Sequence, residues 1–311
     1  MKLSLVVPCY NEEENVQRFY DEVNKAFEGI ISNYEIVFVN DGSTDKTGVE
    51  LKKVYNNDSS RVQVLTLSRN FGKEAAMYAG LSNATGDLVC IIDADLQQHP
   101  SIVIEMLKAI SEDEAIDCIA AYQEERKEGK LISAVKSGFY KLINKMAEVD
   151  FVNGASDFRL MKRAMVDAII NMSEVHRFSK GIFSWVGFNT KYIPYEVKER
   201  EFGQTKWSLW KLIKYAIDGL VSFSTVPLKL SMGVGLATSG ASIVYLIFVV
   251  LKKIFFGIDV PGYATIVVLV LFLGGMQLFC LGILGEYISK IFIQAKNRPI
   301  YVLKEHLHKD D

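Results

Sequence analysis

The sequence predicts an α/β domain built on a parallel sheet, followed by a membrane hairpin. Three observations carry that expectation. Short, continuous, β-branched runs alternate with helical patterns through the first hundred residues. Polar and acidic clusters follow the carboxyl ends of those runs, where open α/β sheets bind ligands. Near the C-terminus two stretches carry no charge, 22 residues between Lys229 and Lys252 and 26 between Asp259 and Glu286. Each is long enough to cross roughly 30 Å of hydrocarbon as a helix.

The elements follow in order. Leu3–Val7, Glu35–Val39, Val62–Leu67 and Leu88–Ile92 read as strands, predominantly apolar as suits a sheet covered on both faces. Between them, Glu13–Phe27, Thr44–Tyr55 and Lys73–Asn83 read as helices, the second capped by Ser43 or Thr44. Beyond residue 115 the pattern loosens: Asp117–Tyr122 and Thr190–Val197 are candidate strands and Leu131–Ala147 a candidate helix. Ser208–Ser222 is amphipathic and stands just before the first charge-free run, which favours a helix lying in the membrane interface over one packed on the domain. The expected organisation is a cytoplasmic α/β domain over 1–207, an interfacial region over 208–228, two spans near 230–251 and 263–287 within 229–289, and a cytoplasmic tail over 290–311.

Composition narrows the class. Half of the 311 residues are hydrophobic and 23% are charged, which excludes a disordered chain and a disulfide-stapled miniprotein. A net charge of −2 gives no basic excess, so no nucleic-acid partner is expected. Cys9, Cys90, Cys118 and Cys280 lack CxxC spacing and a histidine cluster, and read as free thiols rather than zinc ligands. The first apolar run is short and is followed by Glu12, Glu13 and Glu14, which does not fit a signal peptide. Basic residues gather before the first span and after the second, so both termini are expected in the cytoplasm, with the protein a multi-pass inner-membrane one. Lys252 and Lys253 in the connector oppose that orientation more weakly. Gly233, Gly235, Gly240, Gly274 and Gly275 either let the spans approach closely or reflect membrane composition; a homo-oligomer is compatible with both.

The chemistry concentrates at the ends of the strands. The first strand-helix turn has no GxGxxG, which disfavours a dinucleotide site. Asp93, Asp95 and Gln97 follow the fourth strand. If the strand continues through them, residues i, i+2 and i+4 point one way and gather two carboxylates and an amide oxygen. That donor set suits a divalent cation, Mg²⁺ or Mn²⁺, with positions left for phosphate oxygens. Arg69 and Lys73, at the start of the third helix, are either solvated helix-start residues or phosphate contacts. His99 reads as part of a capped turn before a further helix.

The strings VVPCYNEEEN, VNDGSTDKT, LSRNFGKEAA, DADLQ and GASDFRLMKR, in this order and ahead of two spans, resemble glycosyltransferase family 2. Within it the chain resembles the membrane-anchored polyprenyl-phosphate glycosyltransferases. That resemblance implies a GT-A fold and a nucleotide-sugar donor. Pro8, Tyr10, Glu12 and Asp41 would border the base and ribose, with Arg69, Lys73 and Asp93 completing the nucleotide-sugar set. Asp93, Asp95 and Gln97 would hold the cation on the diphosphate. Asp157 would sit beside the reacting sugar and acceptor. Arg126 and Arg200 would meet the acceptor phosphate, and Arg200 and Lys206 would close over the leaving diphosphate. Asn40 stands where the family usually has a second Asp, and Gln98-His99-Pro100 replaces a more acidic or Pro-rich run. The implied reaction is an inverting transfer of a hexose, UDP-glucose first and UDP-N-acetylglucosamine second, to undecaprenyl phosphate. A processive polysaccharide synthase, which would need a QxxRW-type motif in place of Gln204-Thr205-Lys206-Trp207, and a non-catalytic sugar-nucleotide scaffold are the alternatives.

Overall fold

The structure, a computed structural model, describes residues 1–123, 155–195, 221, 224–256 and 262–309. The expected helix over Leu131–Ala147 and nearly all of the amphipathic stretch 208–222 lie outside the described residues.

Among the described residues eight strands form one sheet: β1 (Leu3–Cys9), β2 (Tyr34–Asn40), β3 (Val62–Leu67), β4 (Leu88–Ile91), β5 (Cys118–Gln123), β6 (Ala155–Lys162), β7 (Thr190–Tyr195) and β8 (Leu303–Leu307). Their spatial order is β7-β5-β6-β4-β1-β2-β3-β8. The helices are α1 (Val16–Phe27), α2 (Thr47–Asn57), α3 (Lys73–Asn83), α4 (Ser101–Glu112), α5 (Arg163–Ile170), α6 (Ser179–Trp185), α7 (Val226–Phe256) and α8 (Tyr263–Ala295). β1 pairs in parallel with β2 and β4, and β2 with β3. The four strands read from the first hundred residues are parallel, as expected, and two further strands make the sheet mixed. β6 runs antiparallel between β4 and β5, and β8 runs antiparallel along β3. Both are strands with polar residues inside them, so neither shows the continuous apolar run of a buried parallel strand.

Alternate side chains of the central strands feed two cores. Leu5, Val7, Ile36 and Phe38 pack with Phe19 and Val23 of α1 and Met106 of α4 on one face. Val6, Val37, Val39 and Ile91 pack with Ala76 and Met77 of α3 and Phe183 of α6 on the other. Burying an aromatic such as Phe19 or Phe38 contributes about 1.5–3 kcal/mol. Gly80 lets α3 lie flush on the sheet, since a Cβ there would collide with Val6 and press on Val39. Cys9, Cys90 and Cys118 are buried free thiols. The expected cap of α2 is also corrected: Asp45 takes the Thr47 N–H and hydroxyl on one oxygen, at 3.0 and 2.6 Å, because the helix begins at Thr47 and not at Thr44.

α7 and α8 are long and apolar enough to cross a membrane, and their apolar windows are not buried by the rest of the chain. Both run past the charge-free stretches, α7 starting at Val226 and α8 ending at Ala295. A Cβ at Gly233, Gly235, Gly240, Gly274 or Gly275 would meet nothing within 4 Å, so these glycines do not bring the two helices of this chain together. α8 also reaches the segment just before α7, where the Tyr287 hydroxyl donates to the Ser224 carbonyl at 2.7 Å. After α8 the tail returns to the sheet. Ser68 N–H donates to the Val302 carbonyl at 2.9 Å, and Lys52 pairs with Glu305 at 2.8 Å. The tail is therefore joined to the first domain, not a separate appendage.

Candidate active site

The loops after β1 and β2 are stitched together. Asn11, at φ 57°, receives the Thr44 N–H on its side-chain oxygen at 2.9 Å and donates its own N–H to Ser43 Oγ at 3.1 Å. Asparagine tolerates that left-handed backbone better than most residues. Glu12 N–H donates to Thr47 Oγ1 at 2.8 Å, and its carboxylate takes the Asn15 amide at 2.6 Å. Pro8 lies within β1, and Tyr10 beyond it is 39% exposed.

Asp41 binds the next loop. Its two oxygens accept the N–H groups of Phe71 and Gly72 at 2.7 and 2.9 Å. Burial pushes its pKa up, against those two donors and the nearby Arg69 charge. Gly42, at φ 62°, leaves no room for a Cβ against the Arg69 and Asn70 backbone, so the two loops touch. The Arg69 guanidinium lies 4.0 Å over the Phe71 ring. A cavity of about 580 Å³ opens between the β2–α2 loop, the end of β3 and the tail, and Arg69 and Lys304 line it.

The Asp93-Ala94-Asp95 segment is a turn. β4 stops at Ile91, and Leu96 has a φ of 56°. The alternation expected of a continuing strand is corrected here: the chain reverses, and Asp95 takes the Gln97 N–H at 3.2 Å while Gln98 takes that of Asp93 at 3.2 Å. The charges of Asp93 and Asp95 both bear on Tyr195, whose hydroxyl meets Gln98 and Ser156. Burial, above all, and those charges raise the Tyr195 pKa.

β6 carries Asp157 alongside the end of β4, since its Arg159 is paired with Ile91. Lys73, the first residue of α3, joins the two strands. Its ammonium lies 2.8 and 3.0 Å from the two oxygens of Asp93 and 3.0 Å from Asp157 Oδ2. Burial works against the Lys73 charge, but the two carboxylates outweigh it and raise its pKa. Burial likewise favours neutral Asp157, and Lys73 and Lys180 outweigh it, holding its carboxyl below the usual range. The other oxygen of Asp157 is buried without a hydrogen-bond partner. Next to Lys73, Glu74 is pushed up to about 7 by burial and by the charge of Asp157.

The structure thus brings Lys73, Asp93 and Asp157 into contact, with the Asp95 turn beside them and the Asp41 loop leading into α3. Arg126, Arg200 and Lys206 lie outside the described residues. Glu74, Lys180 and Tyr195 were not singled out in the sequence; Glu74 stands inside the GKEAA string, where an acid in a first helical turn looks like a dipole partner. His99 is engaged with Ser101 at 2.8 Å and Glu22 at 3.0 Å, as a turn residue before α4.

The acidic turn fits a hard divalent cation by the chemistry of its donors. Among the described residues no three His, Cys, Asp or Glu side chains are gathered for a metal. The protein would then supply two carboxylates and the Gln97 amide oxygen, which leaves room for phosphate oxygens and water.

The profile described as glycosyl transferase family 2 matches residues 4–170, and that of the GtrB C-terminal hairpin matches residues 226–291. The chain is 40% identical over 305 residues to the prophage bactoprenol glucosyl transferase homolog of Escherichia coli (strain K12), covering 98% of this chain and 99% of that protein. The chain belongs to glycosyltransferase family 2. It is 40% identical over 310 residues to the bactoprenol glucosyl transferase of Shigella phage SfV, covering 99% of this chain and all of that one. It is 43% identical over 303 residues to a Bacillus subtilis (strain 168) protein named as a glycosyltransferase, CsbB, covering 97% and 91%. Among solved structures, glucosyl-3-phosphoglycerate synthase from Mycobacterium tuberculosis superimposes with a TM-score of 0.49 at 19% identity, over 71% of this chain and 79% of that one. As a family 2 member the chain is a glycosyltransferase. Its mixed sheet with helices on both faces is the GT-A arrangement. The hairpin makes it a membrane-associated enzyme.

Proposed function

We propose that this enzyme transfers glucose from UDP-glucose to undecaprenyl phosphate at the cytoplasmic face of the membrane, with inversion at the anomeric carbon. The observation that carries the reading is Lys73 bridging Asp93, in the acidic turn, and Asp157, across the strand pair. In this reading the bridge links the residue that would face the donor phosphates to the one that would face the reacting sugar. The names of the bactoprenol glucosyl transferases support the acceptor and the sugar.

Asp93, Asp95 and Gln97 would hold a divalent cation, Mg²⁺ or Mn²⁺, which supplies Lewis acidity to the leaving diphosphate. Pro8, Tyr10 and Glu12 border the nucleotide. Asp41 shapes that border through the loop it holds, and Arg69 lies at its outer side. Arg200 and Lys206 would add positive charge over the diphosphate, and Arg126, with Arg200, would meet the acceptor phosphate. A lipid phosphate has a second pKa of roughly 6, so at neutral pH it attacks as a dianion with little need of a base. Asp157, kept ionised by Lys73 and Lys180, therefore orients the acceptor or steadies positive charge developing on the sugar. The hairpin holds the site at the surface where the lipid phosphate lies, which raises its effective concentration. The tail strand on β3 supports an even number of crossings, with the catalytic domain over 1–207 and the tail on one side; the interfacial stretch 208–228 would set the depth of the domain.

The test uses membranes containing the protein, radiolabelled UDP-glucose, Mg²⁺ and undecaprenyl phosphate. The expected product is a labelled lipid, extractable into organic solvent, that EDTA abolishes. Labelled water-soluble polymer would indicate a synthase, label from UDP-N-acetylglucosamine alone would change the sugar, and donor binding without transfer would indicate a scaffold.

A further inference from the structure

Helix α6 is tied to the first turn of α3 through Glu74. Glu74 Oε2 accepts the Ser179 N–H at 2.9 Å and the Ser179 hydroxyl as well. Ser179 is the first residue of α6, and the next, Lys180, places its charge on Asp157. Further along α6, the Phe183 ring lies 3.6 Å under the guanidinium of Arg159, two residues from Asp157 on β6. The first turn of α3 thus sends Lys73 to Asp157 directly and Glu74 to the helix that presents Lys180. The segment leading into α6 is also held from the membrane side. Gln294 of α8 accepts the Val175 N–H at 2.9 Å and donates to the Ser173 carbonyl at 3.1 Å.

Glu74 is costly where it stands. A partly buried carboxylate beside a second one is electrostatically unfavourable, and a neutral hydroxyl or amide would cap α6 without that conflict. Local conflicts of this kind gather at functional sites. We propose that Glu74 is a positioning residue for sugar transfer, acting through Ser179 and α6 to fix Lys180 beside Asp157. The inference rests on the reading of Asp157 as the residue beside the reacting sugar.

The experiment measures kcat and donor KM for full-length wild type, E74A, E74Q and S179A in membranes with UDP-glucose and undecaprenyl phosphate. E74A is expected to lose about tenfold or more in kcat, with donor KM within about twofold, the signature of a misplaced reacting group. E74Q is expected to stay within about threefold of wild type, because its amide oxygen still accepts from Ser179. S179A, which keeps the backbone N–H, should fall between. A wild-type kcat in E74A, a loss confined to KM, or an E74Q as slow as E74A would overturn the proposal. If E74A does not fold, an unimpaired S179A or an E74Q below about a tenth of wild type overturns it. A wild type that transfers nothing refutes the functional reading instead. Hydrogen exchange over residues 179–185 then still decides whether Glu74 holds α6: it should rise in E74A and stay at the wild-type level in E74Q, and an unchanged level in E74A counts against it.

Discussion

The two halves of the ligand-facing edge use carboxylates in opposite ways. Beyond β1 and β2, acidic oxygens are spent inside the fold: Asp41 on two loop amides, Glu12 on Asn15, Asp45 on Thr47. Beyond β4 and β6, Asp93 and Asp157 share one lysine, and an Asp157 oxygen is left over. A satisfied buried carboxylate rigidifies what it touches, whereas an unsatisfied one keeps free energy in reserve for a ligand. The first half is a frame and the second is where bonds would change.

Substitutions can break this contrast, beginning with the largest expected effect. Asp95→Asn should lower lipid-product formation by about 10³-fold or more while the far-ultraviolet circular dichroism stays unchanged, and EDTA on wild type should do the same. Normal turnover in that variant would remove the cation from the site. Asp157→Asn should cost about 10²-fold in kcat, read from single-time-point product formation at saturating donor. On the frame side, Asp41→Ala leaves two loop N–H groups unpaired and should cost about 2 kcal/mol, seen as a lower thermal midpoint of the full chain in detergent.

The pH dependence of Glu35 sharpens the same contrast. Burial favours its neutral form, but Lys2, Ser4 and the Thr85 N–H outweigh it and hold its pKa below the usual range. A depressed carboxyl contributes stability that is present above its unfolded pKa, roughly 4.3, and is lost as pH falls through the lower folded value. Glu35→Gln should therefore lower the midpoint at pH 7, and the gap from wild type should close below about pH 4. The smallest effect belongs to the exposed Lys52–Glu305 pair at the tail: Lys52→Ala should change stability by no more than about 0.5 kcal/mol, and less in high salt.

Much of the frame is legible in the sequence. β3 and α3 have the bounds that the apolar runs and helical spacing predict, and β1, β2 and β4 differ by a residue or two. β6 is not, because Asp157 and Arg159 interrupt its apolar residues and its strand character comes from pairing with β4 and β5. β8 is hidden for a related reason: Leu303–Leu307 is a polar edge strand recognisable only by the partner it finds. The turn at Asp93–Gln97 depends on a left-handed leucine, which leucine does not announce. Asp93, Asp95 and Asp157 are visible through their motifs. Glu74, Lys180 and Tyr195 are not, since their part in the site depends on contacts between segments far apart in the chain.

The strand at the end of the chain imposes an order on assembly. His306 meets Gln63 across 243 residues, with both apolar helices lying between them. Until the segment after the hairpin has been made, the outer edge of β3 stands bare, a row of unanswered peptide groups of the kind that recruits stray chains. The hairpin is thus synthesised before the sheet can be completed, and any early sheet must carry that open edge while the two apolar helices emerge.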